Sequence, residues 1–374
     1  MFHRSMLAVA WSFLLIPTSV SLLTRLPAAE AQVRSAALEK VIDGARTEQL
    51  LKLQWLAGRL DGEAGLRPML AAMNKRYGTN VKLQYTPGPD FPTMLNKISQ
   101  EKAAGVPSSS DISLMAASHT AMGLKTELLR KIDWGSILER PAPSDANVNR
   151  IAPEGVAVMI ASRVIGITYN TNLVKGEDVP ISMEDVFKPK WKGKIVSTPF
   201  GVGLTQFAAK DLLGYEYMKN YTQRLARHIG GLTACSNVDR ISSGEFAMMV
   251  FDCGQDDTLR YQKRGAPLGH ATVKEVAETI QLHMGVPVHA QHPNTAILFI
   301  NFLHTQEGQA LQWEHARHDL HIYPEAHTRR PIQKVVEAHG KVALGTVERE
   351  LALGVEETNR IRAEFQKILK ESGR

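Results

Sequence analysis

The sequence predicts an α/β protein in two lobes, each a mostly parallel sheet flanked by helices, with hinge strands joining them. Three observations carry this. Strand-period and helix-period segments alternate from Leu51 onward, a β-branched run over Val156–Tyr169 is too long for one ordinary strand, and a second alternating series begins at Lys194.

Leu38, Val41 and Ile42 fall on one helical face, and Leu51, Leu53 and Trp55 then alternate with Lys52 and Gln54 as a strand does. Leu66, Met69, Leu70, Met73 and Tyr77 recur at helical spacing up to Gly78, a natural stop, before Val81, Leu83 and Tyr85 alternate again. This is a βαβ pattern, whose crossover favours parallel pairing. A helix around Phe91–Ile98, a strand over Asp111–Met115 and a helix containing Leu124, Leu128 and Leu129 continue the rhythm. The run Val156–Tyr169 is long enough to pass from one lobe to the other. The second series runs from a strand at Lys194–Thr198 through helices at Leu204–Leu213 and Tyr217–Leu225 to a buried strand at Phe246–Phe251. A strand over Thr279–Val288 and a helix carrying Ala296, Ile300 and Leu303 follow. The tail from Pro331 is charged and helical, with Ile361, Phe365, Ile368 and Leu369 as one apolar stripe, so it is expected to cover a lobe.

The first 31 residues read as a secretory signal peptide: Arg4, an apolar run from Met6 to Leu23, and the small residues Ala28, Ala29 and Ala31 before a cut after Ala31. Pro17, Thr18 and Arg25 make a poor spanning helix of the same stretch. The chain is formally +6, with its charge spread rather than gathered into a basic patch, which excludes an ordinary nucleic-acid binder. An exported protein meets oxidising conditions, so its two cysteines, Cys235 and Cys253, are candidates for one disulfide or for two separate buried thiols.

No nucleophile elbow, H-E-x-x-H pair or phosphate-binding glycine loop occurs, so no catalytic residue, metal site or cofactor is assigned. His315, His318 and His321 recur every third residue, but Glu314, Arg317 and Asp319 among them suggest a solvated helix end rather than a metal site. In open α/β sheets ligands bind beyond the carboxyl ends of strands. That rule selects four loops: Gly58-Arg59, Ser118-His119, Gly201-Val202-Gly203 and Asp252-Cys253. The glycines of the third offer free backbone N–H groups to an anion, or simply turn the chain.

Four blocks carry a family resemblance: Ala37–Leu53, Val164–Asn172, Met183–Ile195 with its Phe-Lys-Pro-Lys-Trp-Lys-Gly core, and His292–Ala296 leading into Phe302-Leu303 and Glu307–Gln309. Over about Ala36–Gln312 the chain resembles the iron-family branch of periplasmic solute-binding proteins of ABC importers, those with the type II fold. The resemblance implies a first lobe of residues 32–164 and 284–330, a second lobe of 165–283, and a C-terminal helical segment, 331–374, packing on a lobe. It also implies a monomeric periplasmic receptor that closes on a small molecule or ion and hands it to an inner-membrane permease. An enzyme on the same architecture and a ligand-presenting sensory adaptor remain alternatives. Ferric-binding members carry adjacent tyrosines just after the strand that here ends at Phe251. This chain has Asp252-Cys253-Gly254 there, which speaks against tyrosine-based iron binding and leaves the ligand open.

Overall fold

The computed structural model describes residues 34–124, 126–143 and 151–372; the signal-peptide segment and its cleavage point lie outside them. No helix among the described residues is long and apolar enough to cross a membrane.

The helix Ala36–Glu48 starts on a Ser35 cap and buries Leu38, Val41, Ile42 and Ala45. Strands β1 (Leu50–Leu56) and β2 (Lys82–Gly88) pair in parallel around the helix Gly62–Tyr77, so the first βαβ unit forms as its periodicity predicts. Next come the helix Phe91–Ala103, β3 (Ser113–Ala116) and the short helix Ala117–Gly123. Leu124, Leu128 and Leu129 do not form the expected helix. The chain turns there, with Glu127 at φ +49°, and Leu129 bridges Pro287 while its neighbours fill a small satellite core.

The long β-branched run is two strands, β4 (Val158–Val164) and β5 (Ile167–Asn170), which belong to different sheets. Between them Gly166 passes so close to the next chain that a Cβ there would lie 2.5 Å from the Ala271 carbonyl oxygen and the His270 ring. The second sheet has the order β7-β6-β8-β5-β9, with β6 (Ile195–Ser197), β7 (Gly231–Leu232), β8 (Met248–Val250) and β9 (Leu268–Ala271). β10 (Val276–Gly285) then returns as the spine of the other sheet, where it pairs with β3, β4 and β11 (Lys341–Gly345).

Two larger hydrophobic cores correspond to two lobes. The first includes Leu53, Trp55, Leu66, Ile160 and Phe299; the second includes Ile167, Ile195, Phe207, Tyr221 and Phe251. The sheets are mixed rather than mostly parallel. β1/β2, β6/β7, β6/β8 and β10/β11 run parallel, whereas β3 and β4 on β10 and β8 and β9 on β5 run antiparallel. Every antiparallel pair involves β5 or β10, the strands beside the passage between sheets. A strand that arrives directly from the other lobe has no crossover helix to turn it into the parallel sense.

The tail departs from the expected helical cover in two ways. β11 adds a parallel strand to β10, and the segment touches both lobes. Val347 packs on Ala117 and Ala121, whereas Phe365 and Leu369 enter the second core, with Phe365 stacked on Tyr215 at 6.1 Å.

Candidate functional site

A cleft of about 400 Å³ opens between the lobes. β1 delivers Arg59 to it, β3 delivers Ser118 and His119, and the loops after β6 and β8 deliver Val202 and Cys253. These residues come from all four loops chosen by the strand-end rule. Their glycine neighbours serve the backbone instead. Gly58 turns the chain at φ +84°, which frees Arg59 to face inward. Gly201 gives its carbonyl oxygen to the Thr205 N–H, and the Gly203 N–H donates to Gln206 Oε1 at 2.9 Å. The Gly203 N–H of this one-turn helix is thus already taken by a side chain of its own segment. At φ +74° Gly203 also lies where a Cβ would meet Phe251 Cβ at 2.6 Å, so close packing explains this glycine.

Asp252 is displaced from the wall. It is buried beneath it, accepting hydrogen bonds from the N–H groups of Gly166 and Gly254 and the Thr168 hydroxyl, with His270 Nε2 at 3.2 Å. Burial pushes its carboxyl up, but His270 and these hydrogen bonds hold it below the usual range. Its role is to fix the β5–β8 corner. Cys253 is joined to Cys235, their Cα atoms 5.7 Å apart, so the disulfide clamps the loop that presents this wall.

Arg59, half-buried with its side chain 12% exposed, enters an ionic network that spans the lobes. Its Nη1 lies 3.1 Å from Asp256 Oδ2, while Arg163 Nε donates to Asp256 Oδ1 at 2.7 Å. Arg260 Nη1 reaches back to Asp61 at 2.9 Å and also pairs with Asp257. Burial raises Asp256, yet Arg163, His318 and Arg59 carry it far below an ordinary carboxyl, so it is ionised. Asp256 and Asp257 are thus buried partners of arginines. His318 is not on a solvated helix end: the helix stops at Ala316, and His318 is 1% exposed against Asp256, kept neutral by burial. Among the described residues no cluster of three metal-ligating side chains forms.

Several cleft residues escaped the sequence reading. Arg163 and Glu278 are each 3% exposed on the strands β4 and β10. Arg163 stands opposite Ile280, and Glu278, two residues along β10, shares that face of the sheet. A charged residue inside a buried apolar strand is a signal that sequence carries, because such a charge demands a partner. Glu350, Asn359 and Arg362 reach the cleft from the tail, and no local pattern marks them. His119 is pushed down to about 4 by burial and by the Arg362 charge, which leaves a neutral ring with Nδ1 free of partners among the described residues.

A larger hollow, about 630 Å³, lies under the tail between Ile322, Ile332, Val342 and Leu344. It is mostly apolar, and none of the strand-end loops reaches it. The smaller cleft, with its convergent polar groups, is the better solute site.

The family model for bacterial extracellular solute-binding proteins matches residues 69–336. The chain belongs to this family. No curated protein matches the sequence. The solved structures similar to this solute-binding protein include the substrate-binding protein of an ABC transporter from Agrobacterium tumefaciens, 16% identical over 88% of this chain and 96% of that one, with a TM-score of 0.67. The spermidine/putrescine ABC transporter protein PotD from Streptococcus pneumoniae is 18% identical over 86% and 99%, with a TM-score of 0.61. Iron-bound HitA from Pseudomonas aeruginosa is 18% identical over 84% and 99%, with a TM-score of 0.60. At these identities the likeness establishes the two-lobed periplasmic-binding-protein fold, and this family member's cleft has its own side chains.

Proposed function

We propose that this solute-binding protein is the periplasmic, monomeric receptor of an ABC importer, capturing one small solute between its lobes and delivering it to an inner-membrane permease without chemical turnover. The observation that carries this reading is the cleft itself: one small cavity lined by strand-end loops of both lobes, so that a bound solute touches both and favours the closed form. The lobes are inferred to be residues 32–164 with 284–330 and residues 165–283, a division supported by the two cores. Transport-protein neighbours of the same fold support the permease as partner.

The test is genetic and physical. Deleting the gene should abolish import of one solute. The purified protein should carry that solute at one per chain, unchanged in mass, and should contract in solution scattering when it binds. Conversion of the solute would instead identify an enzyme on this fold. Normal uptake in the deletion strain, with a lost response to the solute, would identify a sensory adaptor.

A further inference from the structure

The cleft's charges divide into a part that is satisfied and a part that is not. Arg59 and Arg163 are matched by Asp256 and Asp257 within the cross-lobe network. His119 is neutral. Toward the tail, Glu278 is 3% exposed, and its Oε2 has no hydrogen-bond partner among the described residues. The nearby Arg349 opposes its charge, but gives both terminal nitrogens to Asp211, and its Nε has no hydrogen-bond partner among the described residues. Glu350 lines the same cleft. Arg362, which faces Glu350, donates to Asn359 Oδ1 at 2.8 Å. Three carboxyls, Glu278, Glu350 and Asp211, therefore face two guanidiniums, Arg349 and Arg362, and a buried polar atom left without a partner is costly.

We propose that the cleft selects a solute bearing a cationic nitrogen, which seats between Glu278 and Glu350. The assignment rests on the reading of the cleft as the solute site and names the class of solute. Two carboxylates fall short of the six to eight oxygens a bare calcium ion takes, whereas an ammonium group donates N–H bonds to two carboxylates at once. A cavity of about 400 Å³ holds a small organic molecule. Arg163 Nη2, buried and without a partner among the described residues, offers a donor to an acceptor elsewhere on the same solute. Burial lifts Glu278 to about 8, with Arg349 opposing and Glu350 and Asp211 adding to the rise. At neutral pH an entering cation would thus displace a proton.

Titration calorimetry with a five-carbon series separates the classes: 1,5-diaminopentane, 5-aminopentanoate and glutarate carry two, one and no amines. The diamine and the amino acid should bind, glutarate should not, and the heats should change with buffer ionisation enthalpy as a proton is released. Glu278→Gln should weaken the diamine at least tenfold, and the partly exposed Glu350→Gln, which threatens the fold less, should weaken it too. Binding by glutarate alone, no binding by either amine, or wild-type affinity in both variants overturns the assignment. A natural solute with no basic nitrogen overturns it too but leaves the capture role standing. That role fails separately, through unchanged uptake in the deletion strain.

Discussion

The two ends of the interlobe cleft handle buried charge in opposite ways. At one end Arg59, Arg163 and Arg260 interlock with Asp61, Asp256 and Asp257, and each charge faces an opposite one. At the other, Glu278 and Glu350 both line the cleft, Glu278 Oε2 has no hydrogen-bond partner among the described residues, and the terminal nitrogens of the neighbouring Arg349 are committed to Asp211. Attraction between buried charges repays their desolvation only when partners are well placed, so the first arrangement is a structural joint. The second holds back a free energy that only protonation or a bound cation releases.

Breaking the joint should have the largest effect. Asp256→Ala strands Arg163 and Arg59 without their shared carboxylate and should cost about 3–5 kcal/mol in urea unfolding. Reducing Cys235–Cys253, which closes a sequence separation of 18 residues beside the joint, should cost about 3 kcal/mol, read as a lower melting temperature in reductant and absent in Cys235→Ser.

Glu278→Gln tests the other end. The carboxyl titrates near 8 in the folded protein and near its ordinary 4.5 when unfolded, so between these values the native state holds the extra proton and wild-type stability falls as pH rises. Below about pH 4.5 this penalty is absent, and above about 8 it is complete. The variant should flatten that slope and be more stable than wild type at pH 8.5, by on the order of 2 kcal/mol or more. A steeper slope in the variant would place the unmatched charge elsewhere. The smallest effect belongs to Arg264→Ala. Arg264 is 60% exposed on the rim of the joint and shares Asp61 with Arg260, so its loss should change stability by less than about 1 kcal/mol.

The same contrast shows what the sequence made legible. Helix and strand periods located nearly every element of the first βαβ unit, because each buries one face against a local neighbour. Strand ends located Arg59, Ser118, His119, Val202 and Cys253, because in an α/β sheet topology alone brings those ends together. The strand-end rule cannot tell a wall residue such as Cys253 from one buried behind it such as Asp252. Nor can local pattern reveal that a tail returns. Lys341–Gly345 alternates too weakly to mark a strand, and only its pairing with β10 makes it one. Arg163 and Glu278 were visible as charges inside apolar strands, but their partners lie far away in sequence.

The tail's double attachment has a mechanical consequence. Val347 is anchored beside Ala117 and Ala121, Phe365 beside Tyr215, and Gly354, at φ +81°, lies between them. A strap fastened to both jaws turns a loose swivel into a guided one. Lobe movement must bend the chain near Gly354 as well as at the crossing strands, and the helix carrying Asn359 and Arg362 travels with the jaw to which it is bolted.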